Sequence, residues 1–365
     1  MTVPPAPPSS PPPPGEPPAP GAPAPGESAR SPLLGRRWLL GAGVAALGGI
    51  AAASLAQGRL TPTREAALRV GRTGKGGYDV VMRAANVGPS GYQLVYSDFQ
   101  SGHLQVEALN AGSLDFGSMS EIPPVFAAAS SVQSFRQIAT IHSDVNNQVI
   151  LVPGASSIRT LADLKGKKVG YVRATTSQYF LIQMLASAGL SWTDIEPVAL
   201  TVPDGSAAFS QGSIDAWAIY GFPIQRALAN DGARVLRTAL GFLSGNYILS
   251  AHVDALANPE LTDVIGRYLA LMPRAFAWQN QHWEAWAEVL AKEIDVPIAF
   301  VRQQIENRSA PTTLLPVQEE AIRSQQQVAD VFSNAGLIPS RIDVRPLWDD
   351  RFNAIIERAN ADVGS

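Results

Sequence analysis

The chain has 365 residues, 46% of them hydrophobic, and carries 28 basic against 31 acidic side chains for a net charge of −3. It has no cysteine, which excludes a disulfide scaffold, a thiolate metal site, an iron–sulfur centre, a cysteine nucleophile and a lipid anchor through an N-terminal cysteine. The four histidines (His103, His142, His252 and His282) form no metal-type pair, and no basic block marks the body, so neither a zinc hydrolase nor a nucleic-acid binder is expected.

Fourteen of the 29 prolines fall within residues 1–35. That stretch is too poor in apolar side chains to form a core and reads as a disordered leader. Arg36 and Arg37 follow, ahead of an uncharged, Ala/Gly-rich stretch over 38–58. Paired arginines before a weakly apolar segment resemble a twin-arginine export signal, here placed at 36–56, with small residues suited to cleavage after Ala56. The alternative is a retained anchor, since the 38–58 stretch is just long enough to span a bilayer. Either reading delivers the body across a membrane.

The body alternates strand and helix. A buried strand over 67–71 leads through a glycine-rich loop at 74–77 into a helix ending near Asn86. Strands over 92–99, 114–117, 135–141 and 148–153 then enclose helices over 101–111 and 121–129. The rhythm restarts with a short helix at 160–164, which Thr160 and Asp163 cap reciprocally. Strands follow over 169–172, 197–201, 214–220 and 234–238, separated by helices over 177–188, 205–211 and 223–230. A strand over 247–251 runs back toward the first block. From Pro259 onward the chain reads as helical, over 261–279, 282–294, 297–304, 316–334 and 348–361. This pattern predicts an α/β protein with mostly parallel sheets in two lobes: 66–151 with 249–365, and 152–248. Two crossing segments, near 149–153 and 248–251, form the hinge, and C-terminal helices close the shape. Bilobal folds hold ligands between the lobes and close by hinge motion.

Three stretches carry a family resemblance. The first runs from Ser97-Asp98-Phe99 through Ala111-Gly112-Ser113-Leu114-Asp115 to Glu121-Ile122-Pro123-Pro124. The second runs from Ile150-Leu151-Val152-Pro153 through Leu161-Ala162-Asp163-Leu164-Lys165-Gly166-Lys167-Lys168-Val169-Gly170. The third joins Asp194-Ile195-Glu196-Pro197-Val198 to Gly212-Ser213-Ile214-Asp215-Ala216-Trp217. In order and spacing they resemble the aliphatic-sulfonate-binding family of ABC-transporter solute-binding proteins, from about Leu68 to Ala251 and more loosely to Pro339. The resemblance implies the two-lobed periplasmic binding fold, a small organic anion as ligand, and a permease with its ATPase subunit as partners. It implies a monomer without cofactor or chemistry. Nitrate, a carboxylate or an aromatic acid is the alternative ligand. The enzyme alternative is a desulfinase-like or cofactor-precursor-forming relative, a type that relies on the cysteine this chain lacks.

The same resemblance places ligand contacts at loops following early strands of both lobes. Helix N-termini and hydroxyls suit a sulfonate, whose three oxygens accept hydrogen bonds. In the first loop Lys75 and Gly76 are either ligand donors or part of a solvated turn. Ser118 and Ser120 are either donors or helix caps, and Glu121 caps or pairs. In the third loop Thr175, Thr176 and Tyr179 are expected ligands, with core packing the alternative for Tyr179. Arg173 is a clamp or simply surface. Where relatives of that family commonly show Trp-Asp-Pro, this chain has Tyr220-Gly221-Phe222-Pro223, so the acidic residue is missing. Its loss argues against an aminosulfonate such as taurine, and the Tyr220 and Phe222 rings suit an apolar or aromatic tail or pack beneath the lobe. Trp278, Trp283 and Trp286 read as lobe packing, with lining of the cleft mouth the alternative for one of them.

Overall fold

The computed structural model describes residues 66–74, 76–88, 91–129 and 133–364, so the proline-rich leader, the expected export signal and Lys75 lie outside the described residues. The chain begins with β1 (Ala66–Thr73), α1 (Tyr78–Ala84), β2 (Tyr92–Phe99), α2 (Gly102–Asn110), β3 (Phe116–Ser120), α3 (Pro123–Ala129) and β4 (Phe135–His142). It continues with β5 (Gln148–Pro153), β6 (Lys168–Tyr171), α4 (Thr176–Ser187), β7 (Glu196–Ala199), α5 (Val202–Ser210), β8 (Ala216–Tyr220), α6 (Pro223–Asn230) and β9 (Ala233–Thr238). β10 (Asn246–His252), α7 (Val253–Ala257), α8 (Pro259–Gln281), α9 (Trp283–Ile294), α10 (Ile298–Glu306), β11 (Thr313–Leu315), α11 (Glu319–Asn334) and α12 (Asn353–Gly364) complete it.

Two sheets form. The first has the order β11-β4-β10-β3-β1-β2 and the second β7-β6-β8-β5-β9. Both are mixed rather than mostly parallel. β1 pairs in parallel with β2 and β3, but β10 is antiparallel to β3 and β4. In the second sheet β6 runs parallel to β7 and β8, whereas β5 is antiparallel to β8 and β9. β10 and β5, which enter each sheet from the other lobe, are reversed, as is the short edge strand β11 against β4. The chain therefore changes sheet at 143–147 and 239–245, upstream of the expected crossings near 149–153 and 248–251. The apolar run Val149-Ile150-Leu151-Val152 is expected from sequence both as a strand and as part of a crossing, and the crossing part does not hold. It is an inner strand covered on both faces, which is what such a run means in an α/β sheet.

In the first lobe Leu68, Val70, Phe116 and Leu249 pack under α8, with Phe116 edge-on to Tyr268. In the second, Ile150, Val169, Phe180 and Met184 fill one side of the sheet, and Trp217, Phe209 and Ile224 the other. A third cluster belongs to both lobes: Ile122 and Val125 near α3, Tyr179 and Ile182 of α4, and Val328 and Phe332 of α11. α11 thus sits behind the cleft, touching both lobes.

Gly205 of α5 lies flat against the Trp217 indole. A Cβ there would sit 2.7 Å from the ring nitrogen. Gly205→Ala is expected to cost about 1–3 kcal/mol by overpacking, although alanine is the better helix former, and the urea midpoint reads it directly.

Candidate ligand-binding cleft

A cavity of about 280 Å³ lies between the two sheets. β1 and the loop after it supply Arg72, Thr73, Gly76 and Gly77, and α1 supplies Tyr78. The end of β3 supplies Ser118 and Ser120. These serines lie within the strand, because β3 runs to Ser120 rather than ending at 117. The other lobe contributes Gln148 at the start of β5, Thr175 and Thr176 at the start of α4, and Tyr220 and Gly221 after β8.

One buried side chain ties the first lobe's wall together. Gln105 of α2 is fully buried; its Nε2 donates to Thr73 Oγ1 (2.8 Å), and its Oε1 accepts from the Ser118 backbone N–H (3.0 Å). Thr73 Oγ1 thereby accepts, leaving its own hydrogen for the cavity. Ser118 Oγ lies 3.0 Å from the Tyr78 hydroxyl, whose burial raises it to about 12, so both stay neutral hydrogen-bonding groups. At the crossing, the Tyr247 hydroxyl donates to the Asp144 carbonyl (3.3 Å) and accepts from Gln148 Nε2 (3.3 Å).

On the opposite wall, Ala174 takes a left-handed conformation (φ 55°). This reverses the chain, so Arg173 turns outward while the two threonines face in. Thr175 is the N-cap of α4. Its hydroxyl donates to Val172 O (2.7 Å) and accepts from Ser177 N–H (3.3 Å), so its hydrogen is committed. The Thr176 hydroxyl has no partner among the described residues and lines the cavity. Burial raises Tyr220 to about 12, partly offset by its hydrogen bond with Thr175.

Arg72 is the charged group in this lining. Its Nη1 donates to Asp79 Oδ2 (2.8 Å), its Nε and Nη2 face the Asp98 carboxylate, and its guanidinium lies 5.3 Å from the Tyr96 ring centroid. The two aspartates raise the Arg72 pKa further, so it is permanently charged. Behind Ser120 sits Glu121, 2% exposed; Ser244 Oγ of the second crossing donates to its Oε1 (2.6 Å), and its Oε2 is unpartnered. Burial raises this acid to about 7 against hydrogen bonds from Ser244, Ser324 and Asn246.

Gly76, Ser118, Ser120, Thr175, Thr176 and Tyr220 therefore converge on one cavity. Three expected residues lie elsewhere. Tyr179 is 6% exposed, its ring drawn into the cluster behind the cleft, 5.9 Å from Phe332. Arg173 lines a separate opening at the cleft mouth with His103 and Leu200. Phe222 reaches across to pack on α9 and α10, beside Leu290 and Ile294. Sequence reasoning missed Arg72, Thr73, Tyr78, Gln105, Asn147, Gln148 and Tyr247. A signal existed for Gln105, which stands four residues before Leu109 on the apolar stripe of α2, where an uncharged polar residue has to find partners.

The described residues include no helix long and apolar enough to cross a membrane and no group of side chains suited to holding a metal. A family model described as NMT1/THI5 like matches residues 91–238. The aliphatic sulfonates-binding protein of Escherichia coli (strain K12) is 36% identical over 258 residues, which span 70% of this chain and 79% of that protein. The crystal structure of the periplasmic aliphatic sulphonate-binding protein SsuA from Escherichia coli matches with a TM-score of 0.69 and 34% identity, over 78% of this chain and 92% of that one. The alkanesulfonate-binding protein SsuA from Xanthomonas axonopodis pv. citri, bound to MOPS, matches with a TM-score of 0.69 and 28% identity, over 78% and 98% of the two chains. The desulfurization enzyme DSZB, at 14% identity and a TM-score of 0.58 over 80% of this chain and 99% of that one, shares the fold alone. The chain belongs to the NMT1/THI5-like family, among its aliphatic sulfonate-binding proteins.

Proposed function

We propose that this protein is the solute-binding component of an ABC importer, capturing an organosulfonate in the cleft and presenting it to a membrane permease coupled to an ATPase. The observation that carries this reading is a cleft whose donors come from both lobes: Thr73 and Ser118 from one, Thr176 and the first turn of α4 from the other. An anion accepting from both sides makes capture and closure one event. The protein works in the periplasm as a monomer, exported by the twin-arginine-type signal at 36–56, and carries out no chemistry on its ligand. The missing acid in the Tyr220-Gly221-Phe222-Pro223 segment favours sulfonates without a free ammonium group.

A thermal-shift panel of alkane- and arylsulfonates, taurine, nitrate and simple carboxylates tests the assignment. Sulfonates should raise the melting temperature by mass action and return from the protein unaltered. A shift with nitrate or carboxylates alone overturns the ligand assignment, and turnover overturns the binding-only reading. Within the site, Thr176→Val is expected to weaken butanesulfonate binding by about 1–2 kcal/mol, because it deletes an uncommitted donor. Thr175→Val should act mainly on folding, by about 1 kcal/mol, through loss of the α4 cap. Titration calorimetry together with denaturation separates the two.

A further inference from the structure

The central cavity opens into a second chamber of about 510 Å³, and Gly77, Tyr78, Asn147 and Tyr247 line both. Its far wall is apolar: Trp286, Leu290 and Ile294 of α9, Val296, and Phe222 from the other lobe. Gln304 and Arg308 add polar edges; Gln304 Oε1 is buried without a partner, and the Arg308 side chain has none among the described residues. Asp144 also borders the chamber, but its Oδ1 is taken by Asn146 N–H and by both Ser309 donors. A short alkanesulfonate seated in the central cavity would leave this volume unused.

The passage between the two spaces has unmet hydrogen-bonding demand. Asn147 Oδ1 and Gln148 Oε1 are both buried and unpartnered. The orientation of Gln148 is fixed by its neighbours. Tyr247 spends its hydrogen on the Asp144 carbonyl, so its oxygen accepts from Gln148 Nε2, and Gln148 Oε1 is left over as an acceptor. A sulfonate group has only acceptors and cannot satisfy these oxygens. A ligand that does so carries an N–H or O–H donor a few bonds beyond its sulfonate. At the passage itself the acceptors are the Asn147 and Gln148 amide oxygens rather than a carboxylate, which suits an uncharged donor. The chamber beyond calls for an apolar extension, with Arg308 placed to donate to a carbonyl.

We infer that the cleft is built for N-acylated aminoalkanesulfonates: sulfonate in the central cavity, amide N–H at the Asn147–Gln148 passage, acyl chain against Trp286, Leu290 and Ile294. This rests on the sulfonate reading above. The test compares N-hexanoyltaurine with nonane-1-sulfonate, which matches it in chain length and lacks the amide, by titration calorimetry on the native protein and the variants Gln148→Leu and Trp286→Ala. The acyl compound is expected to bind about tenfold more tightly, the worth of one buried hydrogen bond. Gln148→Leu should remove most of that margin by weakening the acyl compound more than the alkane, and Trp286→Ala should weaken both. Equal affinities for the two compounds, or an equal loss of both in Gln148→Leu, overturns the inference. Binding of neither compound, nor of butanesulfonate, overturns the sulfonate reading itself.

Discussion

Glu121→Gln is expected to make the protein more stable above pH 7, by about 3 kcal/mol, while leaving it unchanged near pH 4. The carboxyl is 2% exposed, with Ser244, Asn246 and Ser324 as its hydrogen-bond neighbours and Tyr179 beside it; no cation faces it among these groups. Burial raises it to about 7 from 4.5. Between those values the folded protein keeps a proton that the unfolded chain has released. Stability is therefore full below about pH 4.5, falls as pH rises through the window, and stays low above about pH 7. Glutamine fills the same space, still accepts from Ser244, and never ionises. Urea unfolding at pH 4.5 and pH 8 should show a pH slope in the native protein that is absent from the variant; parallel profiles would sink this account.

The second large effect lies at Arg72. Its side chain is 20% exposed and Asp79 only 5%, and they meet where β1 ends against the cavity. Arg83, 60% exposed, is the other cation on Asp79, whose Oδ1 is already unpartnered. Arg72→Met keeps an apolar stem of similar length but removes the guanidinium and its contact with Tyr96, leaving a buried carboxylate held from one side and Asp98 unpaired across the β1–β2 pair. Removing one partner of a buried pair costs about 3–5 kcal/mol, and the remaining Arg83 sets the expectation at about 3. Most of that cost is stranded charge, so Arg72→Met combined with Asp79→Asn should recover much of it. A loss below about 1 kcal/mol, or no recovery in the double variant, would show that the cluster is only a surface network.

What the sequence made legible follows from range. Strand–helix alternation is local, so both α/β halves and the long C-terminal helices could be read from periodicity. Thr175 was visible as a residue at a strand-to-helix turn. That its hydroxyl serves the helix rather than the ligand depends on Val172 O and Ser177, which only the folded loop brings to it. Tyr179 misled because an aromatic ring near a site motif fits a core as well as a ligand. The decision rests with α11, more than a hundred residues downstream. Asn147, Gln148 and Tyr247 carry no motif at all. They matter because two crossings of the chain happen to run side by side. β11 escaped because three residues are too few to show a period.

The sheet order of the first lobe has a consequence for how the chain comes together. β10 is the bridge between β3 and β4, yet it follows them by the whole of the second lobe. β1 to β4 thus emerge from the ribosome with the middle of their sheet missing, and about a hundred further residues must be made before it can be filled. The second lobe, 148–238, is continuous and closes from its own nearby segments. Long-range pairings wait on loop closure and local ones do not. The order of assembly is therefore the reverse of the order of synthesis: the inserted lobe finishes first, and in doing so it carries β10 back to the strands that need it.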